Sequence, residues 1–139
     1  MLINKKKFKS DNYFDEKFFM YLENVDLCLR AKKNSGKMFI VKNSKIHHLG
    51  AKAVDDKYSE EIELSRNWHW MWSKFYFNKK HRGILISSLS GYTSLFVNFL
   101  KYCIYVLTFN KKKNIYMMRM SGIINAILGK QSWYRPKIN

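Results

Sequence analysis

The segment 84–109 constrains this chain more than any other. Leu85, Leu89, Tyr92, Phe96, Phe99, Cys103 and Val106 recur at alternating spacings of four and three, which is the period of one helix face. A second row, Ser87, Gly91, Ser94, Asn98 and Lys101, keeps that period and is small or polar. A spanning helix needs roughly 20 mainly apolar residues, and this segment has the length but carries a polar stripe and a charge. Basic clusters flank it at 79–82 and 111–113, so no positive-inside asymmetry sets an orientation. The pattern predicts an amphipathic helix lying on a membrane surface, with a protein-packed helix and a true span as its alternatives.

The helix before it is signalled as clearly. Ser59 is a candidate cap, Glu60 and Glu61 follow in the first turn, and Lys79, Lys80, His81 and Arg82 crowd the last turn before Gly83. Both ends suit the helix dipole. Leu64, Trp68, Met71, Trp72 and Phe75 share one face, an aromatic stripe of the kind that fills a core, while Trp70, Tyr76 and Phe77 occupy the other. A last short helix is expected over 114–128, stopped by Gly129, with a basic aromatic tail at 132–136.

The first third reads differently. Asn24 or Asp26 is a candidate cap for a helix ending at Asn34, Ser35 and Gly36. Residues 37–41 and 45–50 are strand candidates around a turn at Asn43 and Ser44, which makes this part mixed α/β. His47 and His48 are adjacent, so in a strand they point to opposite faces and only one serves a given site. Upstream, the stretch 14–30 sets Glu23 and Asp26 among aromatic and aliphatic residues, where carboxyl pKa values can be tuned. The plainer role for such acids is capping a helix at the edge of a core.

Composition narrows the partners. The 139 residues suit one domain, and 47% apolar with 17% aromatic residues excludes a disordered chain. Lys and Arg number 26 against 10 Asp and Glu, a formal charge of +16 that favours anionic partners: nucleic acid, acidic headgroups or phosphorylated substrates. The aromatics follow a helical core stripe and no RRM or KH signature is present, which argues against nucleic acid. Cys28 and Cys103 lack CxxC or metal-ligand spacing and read as free thiols in a reducing compartment. The start places its charges after Leu2 and Ile3 and has no apolar signal-peptide core.

A resemblance adds to this reading. Phe14-Asp15-Glu16, Phe18-Phe19, Tyr21, Glu23-Asn24-Val25-Asp26-Leu27, Arg30, Gly36 and then Ile46-His47-His48-Leu49-Gly50 resemble the C-terminal half of a family-two glycosyltransferase catalytic domain, in its bacterial rhamnosyltransferase-like branch. The resemblance implies an α/β chain. Residues 1–58 would be the acceptor half of a GT-A-type nucleotide-diphospho-sugar transferase fold, and 59–139 a helical, membrane-associated tail. The implied reaction is inverting transfer of a sugar from a nucleotide-sugar donor to a lipid-linked or cell-surface polysaccharide acceptor, at the cytoplasmic face of the inner membrane. A divalent cation, Mg2+ or Mn2+, would neutralise the leaving diphosphate, and a carboxylate would take the acceptor's proton.

Carried over by position, the base falls on Asn24, and an amide cannot accept that proton. Glu23 or Asp26 would then take the role. His48, with His47 as the alternative register, matches the histidine that approaches metal and diphosphate. Arg30 matches the arginine after the acidic pair, and Arg66 is a further candidate contact to acceptor or phosphate. The Asp-x-Asp metal motif of the family is absent before residue 14. The alternative is therefore a non-catalytic basic binding or accessory membrane protein.

Overall fold

The computed structural model describes residues 3–4, 13–34, 36–47 and 56–136. Among them the regular elements are helical: α1 (Glu23–Lys33), α2 (Ser59–Arg82), α3 (Ile84–Leu107) and α4 (Lys113–Ile127), with a 3-10 turn at Asp56–Tyr58. This overturns the expected α/β class and the partial GT-A sheet, since no strand occurs among the described residues. Residues 37–41 and 45–47 are irregular and mostly exposed, Phe39 and Ile40 at 81% and 93%; residues 48–50 of the second strand candidate lie outside the described residues. The physical reason is that a strand gains its stability from a ladder and a covered face, and an isolated hairpin is marginal.

The middle of the molecule is α2. Its buried stripe of Trp68, Met71, Trp72 and Phe75 is the one its periodicity marked. Trp68, Trp72 and Phe75 join Ala126 of α4 in the core, with Tyr76, Met118, Ile127 and Tyr134 packed around them. The indole N–H groups, costly to bury unpaired, are satisfied: Trp68 donates to Ser121 Oγ at 3.1 Å and Trp72 to the Lys130 carbonyl at 3.0 Å. Close approach of α4 depends on Gly122, where a Cβ would meet the Trp68 carbonyl oxygen at 2.4 Å. Gly83, at φ 89°, ends α2 and lets α3 fold back against it.

The faces of α3 are inverted relative to an ordinary surface helix. Ser87, Gly91 and Asn98, from its small and polar row, are the buried residues, and a Cβ at Gly91 would meet the Phe75 ring at 2.9 Å. Small residues let two backbones approach, as they do between helices in lipid. The apolar row points outward. No described helix is long and apolar enough to cross a membrane.

At its start, α1 departs from the expected caps. Neither Asn24 nor Asp26 caps it; both lie inside the helix, which begins at Glu23 after Tyr21 and Leu22 at φ 68° and 66°. Its end falls where expected, with the Gly36 N–H donating to the Ala31 carbonyl at 2.8 Å. Ser59 likewise lies within α2 rather than capping it.

Candidate functional site

Residues 13–33 are fastened to one side of α2, and that junction collects most of the polar chemistry. Asp26 is fully buried, at 0% exposure. Its Oδ2 accepts from Arg30 Nε at 2.8 Å, and its Oδ1 receives Lys80 Nζ at 2.7 Å and His81 Nε2 at 2.8 Å. Lys80 also donates to Asp15 Oδ2 at 2.7 Å, and the Tyr76 hydroxyl donates to the same oxygen at 2.9 Å. Arg30 additionally donates to the Tyr13 carbonyl. Burial alone would raise the Asp26 pKa; hydrogen bonds from Lys80, Arg30 and His81, with the charge of Lys80, outweigh it and hold the carboxyl below 3.8. A carboxylate so fixed is a poor proton acceptor at neutral pH.

Glu23 is in the opposite condition. Its Oε2 is buried and makes no hydrogen bond among the described residues. Buried carboxylate oxygens are ordinarily paired, so an orphan marks a place where another group can be received. Asn24, beside it, is exposed.

A second polar cluster lies along α2 and α4. Tyr21, Glu63, Arg66, Asn67, Trp70 and Arg119 line an open cleft of about 240 Å³. Arg66 Nε donates to the Tyr21 hydroxyl at 2.9 Å, and Arg119 Nε donates to Asn67 Oδ1 at 2.7 Å. Asn67 Nδ2 in turn donates to the carbonyl and to Oε1 of Glu63 at 2.8 and 3.2 Å. The Tyr21 and Trp70 rings meet edge to face, 5.5 Å between centroids. The chain enters this cleft through the left-handed pair Tyr21 and Leu22, a conformation costing on the order of 1–3 kcal/mol per residue and met often at ligand sites. Just before the pair, Ser73 Oγ donates to the Met20 carbonyl at 2.7 Å and braces the turn.

The third buried polar group is His69. Nε2 faces the Tyr134 carbonyl at 2.8 Å, which can only accept, so Nε2 carries the proton and Nδ1 accepts from Ser132 Oγ at 2.8 Å. Burial holds this imidazole below 6.5, against the pull of the Tyr134 carbonyl and with the help of the Arg135 charge. The group locks the tail onto α2.

Of the sequence candidates, then, Glu23, Asn24, Asp26 and Arg30 share α1, with Asp26 and Arg30 consumed in one ion cluster. Arg66 stands apart in the cleft. His47 is exposed on the irregular segment, and His48 lies outside the described residues. No group of three His, Cys, Asp or Glu side chains among the described residues could hold a metal ion. Lys80 and His81 carried only a helix-dipole role in sequence, and Glu63, Asn67 and Arg119 carried none; no local spacing joins them to residues so far away.

No protein family, curated protein or solved structure matches this chain. With no strand among the described residues where the GT-A sheet was expected, the resemblance to family-two glycosyltransferases is overturned.

Proposed function

We propose that this chain is a basic binding or accessory protein that docks peripherally on an anionic membrane surface, at the cytoplasmic face of the inner membrane. The observation that carries this reading is the outward face of α3: Leu85, Leu89, Tyr92 and Phe96 are 83%, 70%, 59% and 62% exposed, while the small and polar row is packed inward. An apolar row this long, uncovered on one side of a 24-residue helix, is a surface waiting for a partner. Charge favours an anionic partner, and the apolar row suits a lipid surface. Arg82 precedes the helix and Lys111 and Lys112 follow it, all exposed, and each basic side chain near an anionic leaflet contributes about 1 kcal/mol. The helix would lie in the interface with its ends held by headgroups.

Co-sedimentation with vesicles tests this directly. The protein should pellet with vesicles containing a third phosphatidylglycerol and much less with pure phosphatidylcholine, and salt should weaken the binding. The exposed double variant Leu89→Glu/Phe96→Glu should keep its helix content and lose the binding. An unchanged distribution of that variant would sink the docking.

A second reading adds catalysis, and Glu23 is the observation that favours it. Inverting sugar transfer from a nucleotide-sugar donor to a lipid-linked or cell-surface polysaccharide acceptor needs a carboxylate to take the acceptor's proton. Asn24 cannot accept it and Asp26 is held by Arg30, Lys80 and His81, which leaves the Glu23 oxygen that has no hydrogen-bond partner among the described residues. Incubation with labelled nucleotide sugars and membrane lipid should then transfer label, and Glu23→Gln should abolish the transfer. Docking without any transfer selects the accessory role.

A further inference from the structure

We infer that the cleft formed by Tyr21, Glu63, Arg66, Asn67, Trp70 and Arg119 is a binding site for a phosphorylated ring polyol, the chemistry of a sugar phosphate or of an inositol headgroup. Its residues, and not the docking of α3, carry this inference. Arg66 and Arg119 are each tethered through Nε, to Tyr21 and Asn67. Among the described residues neither makes an ion pair with a carboxylate, and their terminal nitrogens make no hydrogen bond. Both guanidinium groups line the one cleft, Arg119 also resting over the Tyr116 ring at 5.4 Å, and their remaining N–H groups can serve a tetrahedral oxyanion. Their order is imposed from below, because Asn67 is 8% exposed and spends its amide on Glu63 and its oxygen on Arg119.

The rest of the cleft specifies what is attached to the phosphate. Trp70 is 42% exposed, and its ring meets that of Tyr21 edge to face. An indole face open to solvent suits the C–H face of a saturated ring. Glu63 brings a carboxylate to the same cleft, and it accepts from hydroxyl groups while repelling a second phosphate. That selects a monophosphate carrying hydroxyls over a diphosphate. A volume near 240 Å³ is below the ~300–1,000 Å³ of drug-sized sites and suits one ring with one phosphate. The left-handed pair at Tyr21 and Leu22 is the strained turn that brings the tyrosine there.

Calorimetric titration with glucose 1-phosphate, glucose and inorganic phosphate tests the assignment. Glucose 1-phosphate should bind, at least tenfold more tightly than either of the others. Arg66→Gln, a change at an exposed residue, should weaken it at least tenfold without moving the thermal midpoint, and Trp70→Ala should erase the preference over inorganic phosphate. A flat titration with glucose 1-phosphate would send the search to the headgroup source. There, vesicles containing phosphatidylinositol should bind the Leu89→Glu/Phe96→Glu variant and lose it again when Arg66→Gln is added. Failure of both arms overturns the site, as does binding that Arg66→Gln leaves intact. Loss of binding to phosphatidylglycerol vesicles in the α3 variant with retained glucose 1-phosphate binding would overturn neither residue set of this cleft and so supports it separately from docking.

Discussion

Gly122 lies against the backbone of Trp68 so closely that a Cβ would sit 2.4 Å from the Trp68 carbonyl oxygen and 3.2 Å from its carbon. Backbone atoms of α2 cannot swing aside as a side chain can, so a methyl group here must push α4 away from the core. Gly122→Ala should cost about 3 kcal/mol, the upper part of the usual penalty for overpacking, and lower the melting temperature by roughly 10 °C. Ile124→Ala, two residues on and half exposed, should change it little. Thermal unfolding followed by circular dichroism compares the two.

How far such contacts could be read from the chain depends on their range. The helices α2, α3 and α4 were legible because residue pattern and the breaks at Gly83 and Gly129 agree locally, joined in α2 by the dipole charges. The two rows of α3 were legible too, but periodicity tells only that faces differ, and not which one meets protein. The strands expected at 37–41 and 45–47 were misjudged because local residue preference describes fitness for a sheet, and a sheet needs neighbours. The site was the least legible part. Asp26 was visible as an acid among apolar residues, yet its role is decided by His81, 55 positions on, and by Lys80 beside it. Arg66 was picked out, while its counterpart Arg119 bears no local mark at all.

Asp26→Asn tests the ion cluster. The amide leaves Arg30, Lys80 and His81, which make three contacts with the carboxylate oxygens, gathered around a neutral group. Removing one partner of a buried pair costs about 3–5 kcal/mol; Lys80 and Arg30 reach water, at 26% and 25% exposure, so the lower end applies. Urea unfolding should show a fall of about 3 kcal/mol. Lys80→Met should cost less, because Arg30 and His81 remain to hold the carboxylate.

Ser132→Ala asks whether the tail is structural. The hydroxyl is the donor to Nδ1 of a histidine that is 0% exposed, and without it that nitrogen is buried unpaired. A loss of about 1–3 kcal/mol is expected for a stranded acceptor. The neighbouring stack of Trp68 on Tyr134, 5.9 Å between centroids, should loosen with it. Tryptophan emission shifting to longer wavelength alongside the lower urea midpoint is the measurement; an unchanged midpoint would show that the tail adds nothing to α2.

The pH dependence of stability should fall in two separate steps, because His69 and Asp26 are perturbed in the same direction but carry opposite consequences of charge. His69 is held below 6.5 in the fold, so the unfolded chain binds a proton that the native chain resists. Stability is therefore intact above 6.5 and declines as the pH drops below it, at most about 1.4 kcal/mol per pH unit from one group. Asp26 and Asp15 are held below 3.8, the latter because hydrogen bonds from Lys80, Lys17 and Tyr76 outweigh its burial. Their contribution is present above 3.8 and disappears as the pH falls through the lowered native values. Urea midpoints measured from pH 8 to pH 3 should show a first decline setting in below about 6.5 and a second one beginning near 4. His69→Gln should remove the first step and spare the second, whereas Asp26→Asn should shrink the second and leave the first. A single smooth decline in all three proteins would mean that general repulsion within a chain of formal charge +16, and not these two sites, governs acid unfolding.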